Sequence, residues 1–155
     1  MKCSFDDFID MFLESRMMYG SSSKHMLEFY ERRNQPNVLV VKYEDMKRDL
    51  PTIIQQCADH LEISRTLTTD DIDKLCEHVK FEKMESNPNV NLEAIVFQDP
   101  TMKEQIDPIA YNKVKFIRKG QVGDWQNYFS PDTNAKFDKW IDDNLNGTGL
   151  TFDYV

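Results

Sequence analysis

The stretch Val38-Leu39-Val40-Val41, running on to Tyr43, constrains the fold more than any other part of this sequence. It is a short, unbroken apolar run bounded by Pro36-Asn37 and Glu44-Asp45, the pattern of a strand buried on both faces. Such strands belong to parallel sheets covered by helices, and one strand cannot make a sheet. This is a first hint that the chain, mostly helical with one clear strand, is part of something larger.

The remaining segments read as helices. Ser4 with Asp7 three residues on resembles a capping box, and Phe5, Phe8, Ile9, Phe12 and Leu13 recur at helical spacing, predicting a helix from Ser4 to Tyr19 that Gly20 breaks. Ser21 to Ser23 offer caps for a second helix carrying Met26, Leu27, Phe29 and Tyr30, ending by Asn34-Gln35-Pro36. Asp49 before Leu50-Pro51 opens a third, running to about Leu61. Thr68 with Asp71 caps another through Val79, with Ile72, Leu75 and Val79 inward, and Phe81 to Ser86 forms a shorter turn. Ser130 and Pro131 start the last helix, with Phe137, Trp140, Ile141 and Leu145 on one face and Gly147 at its end. Residues 87–115 carry Pro88, Pro100 and Pro108 without clean periodicity and read as a long loop. Residues 1–155 together make one partial domain.

Charge and cysteine content narrow the partners. With 27 acidic and 19 basic side chains the net charge is -8, which argues against non-specific nucleic-acid binding. No apolar stretch approaches the ~20 residues of a membrane span, and the polar Met1–Asp7 start lacks a signal-peptide core. Three cysteines, Cys3, Cys57 and Cys76, are too few for a disulfide framework and fit a cytoplasmic chain. Cys57, His60, Cys76 and His78 miss the usual spacings of structural zinc, so no metal site is expected; Cys57 instead shares a helix face with Ile53, Ile54 and Leu61.

Within this acidic chain Tyr111 to Gly123 is a basic island holding Lys113, Lys115, Arg118 and Lys119 and no acidic side chain. At its centre Arg118-Lys119-Gly120-Gln121-Val122-Gly123 pairs two cations with two glycines. Glycine lets backbone N–H groups approach an anion, arginine grips phosphate with a planar fork, and lysine adds a mobile charge. Spacing alone leaves an anion site and a solvated basic loop both open. Tyr43 and Phe81, taken by themselves, would more often be ordinary core aromatics.

Longer motifs favour the first alternative. Phe116-Ile117-Arg118-Lys119-Gly120-Gln121-Val122-Gly123-Asp124-Trp125-Gln126-Asn127-Tyr128-Phe129 resembles the R-K-G-x-x-G-D-W-x-N-x-F signature of cytosolic sulfotransferases. Tyr43-Glu44-Asp45-Met46-Lys47 resembles the same family's Y-E-D-M-K segment, and Phe81-Glu82-Lys83-Met84-Glu85-Ser86-Asn87-Pro88 its F-x-x-M-x-x-N-P stretch. The likeness runs from Phe5 to Phe152 and corresponds to roughly the C-terminal half of a complete member.

This resemblance implies an α/β fold related to P-loop kinases, a parallel sheet with flanking helices. It implies transfer of a sulfuryl group from 3'-phosphoadenosine 5'-phosphosulfate (PAPS) to a hydroxyl or amine of a small acceptor, with the nucleotide PAP as the spent form. By resemblance Arg118, Lys119 and Gly120 hold the 3'-phosphate, with Phe116 and Ile117 beside it. Tyr43 approaches the adenine, Phe81 stacks on its face, and Met84 lies nearby. Asp124 and Trp125 would fix the loop that follows and cap the next turn. Met11, Phe12, Met17 and Met18 correspond to a region lining the acceptor pocket, although core packing explains them equally well.

The sequence also departs from the family pattern. No P-K-S-G-T-type loop occurs, and His25, His60 and His78 match non-catalytic positions, so no catalytic residue is assigned and the chain alone is expected to be inactive. Val79 and Lys80 stand where hydroxyl residues commonly touch the nucleotide. Gln126, Ser130, Pro131 and Ala135 replace a K-x-x-x-T-V-x-x-x-E dimer pattern, leaving the oligomeric state open. Two alternatives stand beside the sulfotransferase: a non-catalytic nucleotide-binding relative, and an acidic helical interaction module. Calorimetry against PAP separates the last from the other two.

Overall fold

The structure, a computed structural model, describes residues 4–92 and 115–152. The chain divides into two compact units, Met1–Glu44 with Gly123–Val155, and Asp45–Val122. Most of the 87–115 loop, with Tyr111 and Lys113, lies outside the described residues.

In the first unit, α1 (Phe5–Leu13) starts at a complete capping box. Ser4 Oγ accepts from the Asp7 N–H at 3.1 Å, and the Asp7 carboxylate accepts from the Ser4 N–H at 2.9 Å. α1 ends earlier than Tyr19 because Ser15 takes a left-handed conformation, φ 59°. The Ser15 and Arg16 N–H groups bond back to Phe12 and Met11, closing a Schellman turn at a position where glycine is usual. α2 (Ser22–Tyr30) is capped by Ser21, and α7 (Pro131–Leu145) by Ser130, whose Oγ accepts from the Thr133 N–H at 3.1 Å.

α1 and α2 each have contacts to α7 and the chain after it. Phe12 lies 5.9 Å from both Phe137 and Trp140, and Lys136 bonds Asp10 at 2.6 Å. Ser23, buried, donates to Asn144 at 3.2 Å, and the Tyr30 hydroxyl donates to the Gly149 carbonyl at 2.8 Å. Phe12 is thus committed to this aromatic core, whereas Met18 is 87% exposed.

The second unit is a helical stack. α3 (Tyr43–Arg48) begins in the first unit and ends here. α4 (Leu50–His60) is capped by Asp49 and packs on α5 (Thr69–His78), which packs on α6 (Phe81–Ser86). Thr68 and Asp71 form the capping box expected for α5, and Arg65 grips Asp71 with two bonds of 2.7 and 2.9 Å. Ile53 is buried, but Leu61, Leu75 and Val79 are exposed, contrary to the inward placement their spacing predicts. α4 stops at a second non-glycine Schellman turn, with Glu62 at φ 54°; Leu61, just before it, still bonds to the Cys57 carbonyl at 3.0 Å but is exposed.

The expected strand is not formed. No described residue lies in a β-strand; residues 38–42 have no regular structure and Tyr43 starts α3. Leu39, Val40 and Tyr43 are 37%, 44% and 43% exposed. A strand exists through ladder bonds to a neighbour, and the described residues supply no neighbouring strand. No described helix is long and apolar enough to cross a membrane.

Candidate functional site

Two segments of the second unit, α6 and residues 115–120, bring most of the expected site residues together. α6 follows directly on α5, whose cap residue Val79 bonds back to Leu75 at 3.0 Å, so Lys80 and Phe81 emerge at a fixed corner. Phe81 and Met84, three residues apart on α6, are both half-buried. Lys80 is engaged by Glu77: the hydrogen bond to that carboxylate, and then its charge, raise the lysine above its ordinary 10.5.

The basic segment runs past α6 in open conformation. Gly120 has φ +62°, and a β-carbon there would stand 2.4 Å from Phe81 Cδ2 and 2.9 Å from Cε2. The backbone at 120 therefore lies against the rim of the Phe81 ring, an approach only glycine allows. Arg118 and Lys119 are exposed just before this contact, Phe116 is 49% exposed and Ile117 is half-buried. Phe81, Met84 and residues 116–120 thus occupy one unit, while Tyr43 opens α3 in the other.

Asp124 and Trp125 differ in detail from their expected roles. Asp124 is buried and accepts from Asn127 Nδ2 at 2.9 Å, inside a 3-10 turn over Asp124–Asn127. The cap of that turn is Gly123, at φ 75°, rather than the aspartate. Trp125 packs on Phe129, 5.4 Å between ring centres.

One feature near the basic segment was not legible in the sequence. Lys115 Nζ reaches Glu85 Oε1 at 2.5 Å, pairing residues 30 positions apart with no motif or periodicity linking them. Among the described residues no group of three or more His, Cys, Asp or Glu is arranged to hold a metal ion, and Cys57 and Cys76 are free thiols.

Comparison with known proteins agrees with the motifs. A family model described as the sulfotransferase domain matches residues 1–149, and the chain belongs to that family. It is 32% identical over 149 residues to sulfotransferase 1E1 of Bos taurus, covering 96% of this chain and 47% of the relative. It is equally 32% identical to luciferin sulfotransferase of Photinus pyralis, covering 96% of this chain and 38% of that protein. Among solved structures it is similar to retinol dehydratase in complex with androsterone and the inactive cofactor PAP. That match has 34% identity and a TM-score of 0.80, over 98% of this chain and 41% of the other. Mouse sulfotransferase SULT7A1 complexed with PAP matches at 27% identity and TM-score 0.70, over 93% and 48%. The chain spans less than half the length of these relatives.

Proposed function

We propose that these residues make up the 3'-phosphate and adenine side of a PAPS site, in a cytosolic sulfotransferase that sulfates a hydroxyl or amine of a small acceptor. The observation that carries this is the contact of Phe81 with Gly120, which sets an aromatic ring and a cationic, glycine-containing loop side by side. A nucleoside 3'-phosphate needs that pair of surfaces, an aromatic face for the purine and donors for the dianion. Arg118 and Lys119 supply charge-assisted bonds and the Gly120 backbone approaches closely, while Phe81 takes the base with Met84 beside it. The PAP held by the similar solved structures supports the same choice of nucleotide.

Bound PAPS supplies the activated sulfuryl group; these residues bind and orient it. Proton transfer from the acceptor and neutralisation of developing charge need a base and cations that the family motifs found here do not include. The 155 residues alone therefore bind nucleotide without turning over. Calorimetric titration with PAP tests the site. Wild type binds, and Arg118→Ala weakens binding roughly tenfold or more, as expected for lost hydrogen bonds to a charged group. An Arg118→Ala variant that binds as wild type does overturns the assignment, and robust PAPS-dependent sulfation by the chain alone overturns the division of labour.

A further inference from the structure

Glu85 sits at the end of α6 and touches two distant stretches of chain. Its side chain accepts from Lys115 Nζ at 2.5 Å, and its main-chain carbonyl accepts from Asn91 Nδ2 at 2.7 Å. Lys115 immediately precedes Phe116–Gly120, and Phe81, which meets Gly120, lies one helical turn before Glu85. The basic segment is thus held against α6 at both of its ends, by an ion pair at 115 and by ring-to-backbone contact at 120. The glutamate is the more sheltered partner, its side chain 33% exposed against 55% for the lysine.

We infer that Glu85 is a positioning residue for the nucleotide-binding loop, fixing where residues 116–120 start so that Arg118 and Lys119 are presented beside Phe81. The inference rests on the PAP site proposed above. Glu85 touches no nucleotide in this scheme and acts only through Lys115.

The test uses the full chain with Glu85→Lys, Lys115→Glu and the double reversal. Amide exchange at residues 116–121, measured without nucleotide, should quicken in each single variant and return toward wild type in the double. PAP affinity, by calorimetry, should fall about fivefold in Glu85→Lys, the scale of a half-exposed ion pair, and recover in the double reversal. Thermal melting of the variants excludes general unfolding as the cause. Unchanged exchange at 116–121 in Glu85→Lys overturns the inference whatever the nucleotide does. Faster exchange with unchanged PAP affinity in a wild type that binds also overturns it. Failure of wild type to bind PAP at all instead removes the site proposed above, and leaves exchange to show whether Glu85 holds the segment.

Discussion

The Phe81 ring lies so close to Gly120 that a β-carbon at position 120 would come within 2.4 Å of Phe81 Cδ2, nearer than two carbons can approach. Ring and glycine form a matched pair. The aromatic can lean on the loop because position 120 has no side chain, and the loop can turn there because φ +62° suits glycine.

Gly120→Ala should therefore disturb the site twice over. The left-handed backbone alone costs an alanine about 1–2 kcal/mol, and the clash with the ring adds to that. PAP affinity should drop with stability, read by calorimetry and thermal melting. Phe81→Ala in the same chain removes the clash but not the backbone strain. The double variant should be more stable than the two single losses added together predict, because neighbouring changes that share one cause do not add. Strict additivity would show that the two residues do not press on each other.

Two other left-handed positions make the opposite prediction. Ser15 at φ 59° and Glu62 at φ 54° occupy Schellman turns that favour glycine. Ser15→Gly and Glu62→Gly should each stabilise the chain by about 0.5–1 kcal/mol, since relief of left-handed strain exceeds the entropy glycine adds to the unfolded state. Chemical denaturation measures this directly. A loss of stability in either variant would mean that the side chain itself contributes more than the strain it causes.

These turns also show where the sequence stops being readable. The starts of α1, α2, α4, α5 and α7 were legible because a capped start is chemistry on one side chain: Ser4, Ser21, Asp49, Thr68 and Ser130 each accept an N–H of the first turn, whereas α3, starting at Tyr43, carries no such mark. Stops at Ser15 and Glu62 carry no such mark, because any residue can be forced left-handed by the turn that follows. The strand failed for a different reason. Val38–Val41 has the right composition, but a strand is a relation between segments, and the described residues contain no partner for it. Phe81 and Gly120 were both named from motifs, yet their contact, like Glu85 with Lys115, joins residues 30 or more apart and needed the fold to reveal it.

The unpaired apolar run has a measurable consequence. Leu39 and Val40 stand exposed beside backbone groups that lack ladder partners, a combination that invites association. The chain by itself should bind hydrophobic dye and run larger than a monomer in light-scattering chromatography. Leu39→Lys with Val40→Lys should reduce both signals while leaving the α4–α5–α6 stack intact by circular dichroism, because neither residue belongs to that unit. A clean wild-type monomer with a cooperative melt would rule out this source of association.

Acid should weaken α5 in part through Asp71, beside Glu77, whose bond to Lys80 also lowers its carboxyl. Asp71 accepts from the Arg65 guanidinium, then from the Thr68 backbone and hydroxyl, and these bonds hold its carboxyl well below the ordinary 3.8. A group whose folded pKa is depressed stabilises the fold above its unfolded value and loses that contribution as pH falls through the folded one. The stability α5 draws from Asp71 should therefore persist down to about 3.8 and disappear only in stronger acid. Asp71→Asn should melt earlier than wild type at neutral pH, and the gap between the two should narrow only below that value. Salt should shrink part of the gap, because the Arg65 pair is solvent-facing, but not the part owed to the capping bonds to Thr68. If the gap closes already between pH 6 and 5, far above where this carboxyl takes up its proton, some group other than Asp71 controls the acid response.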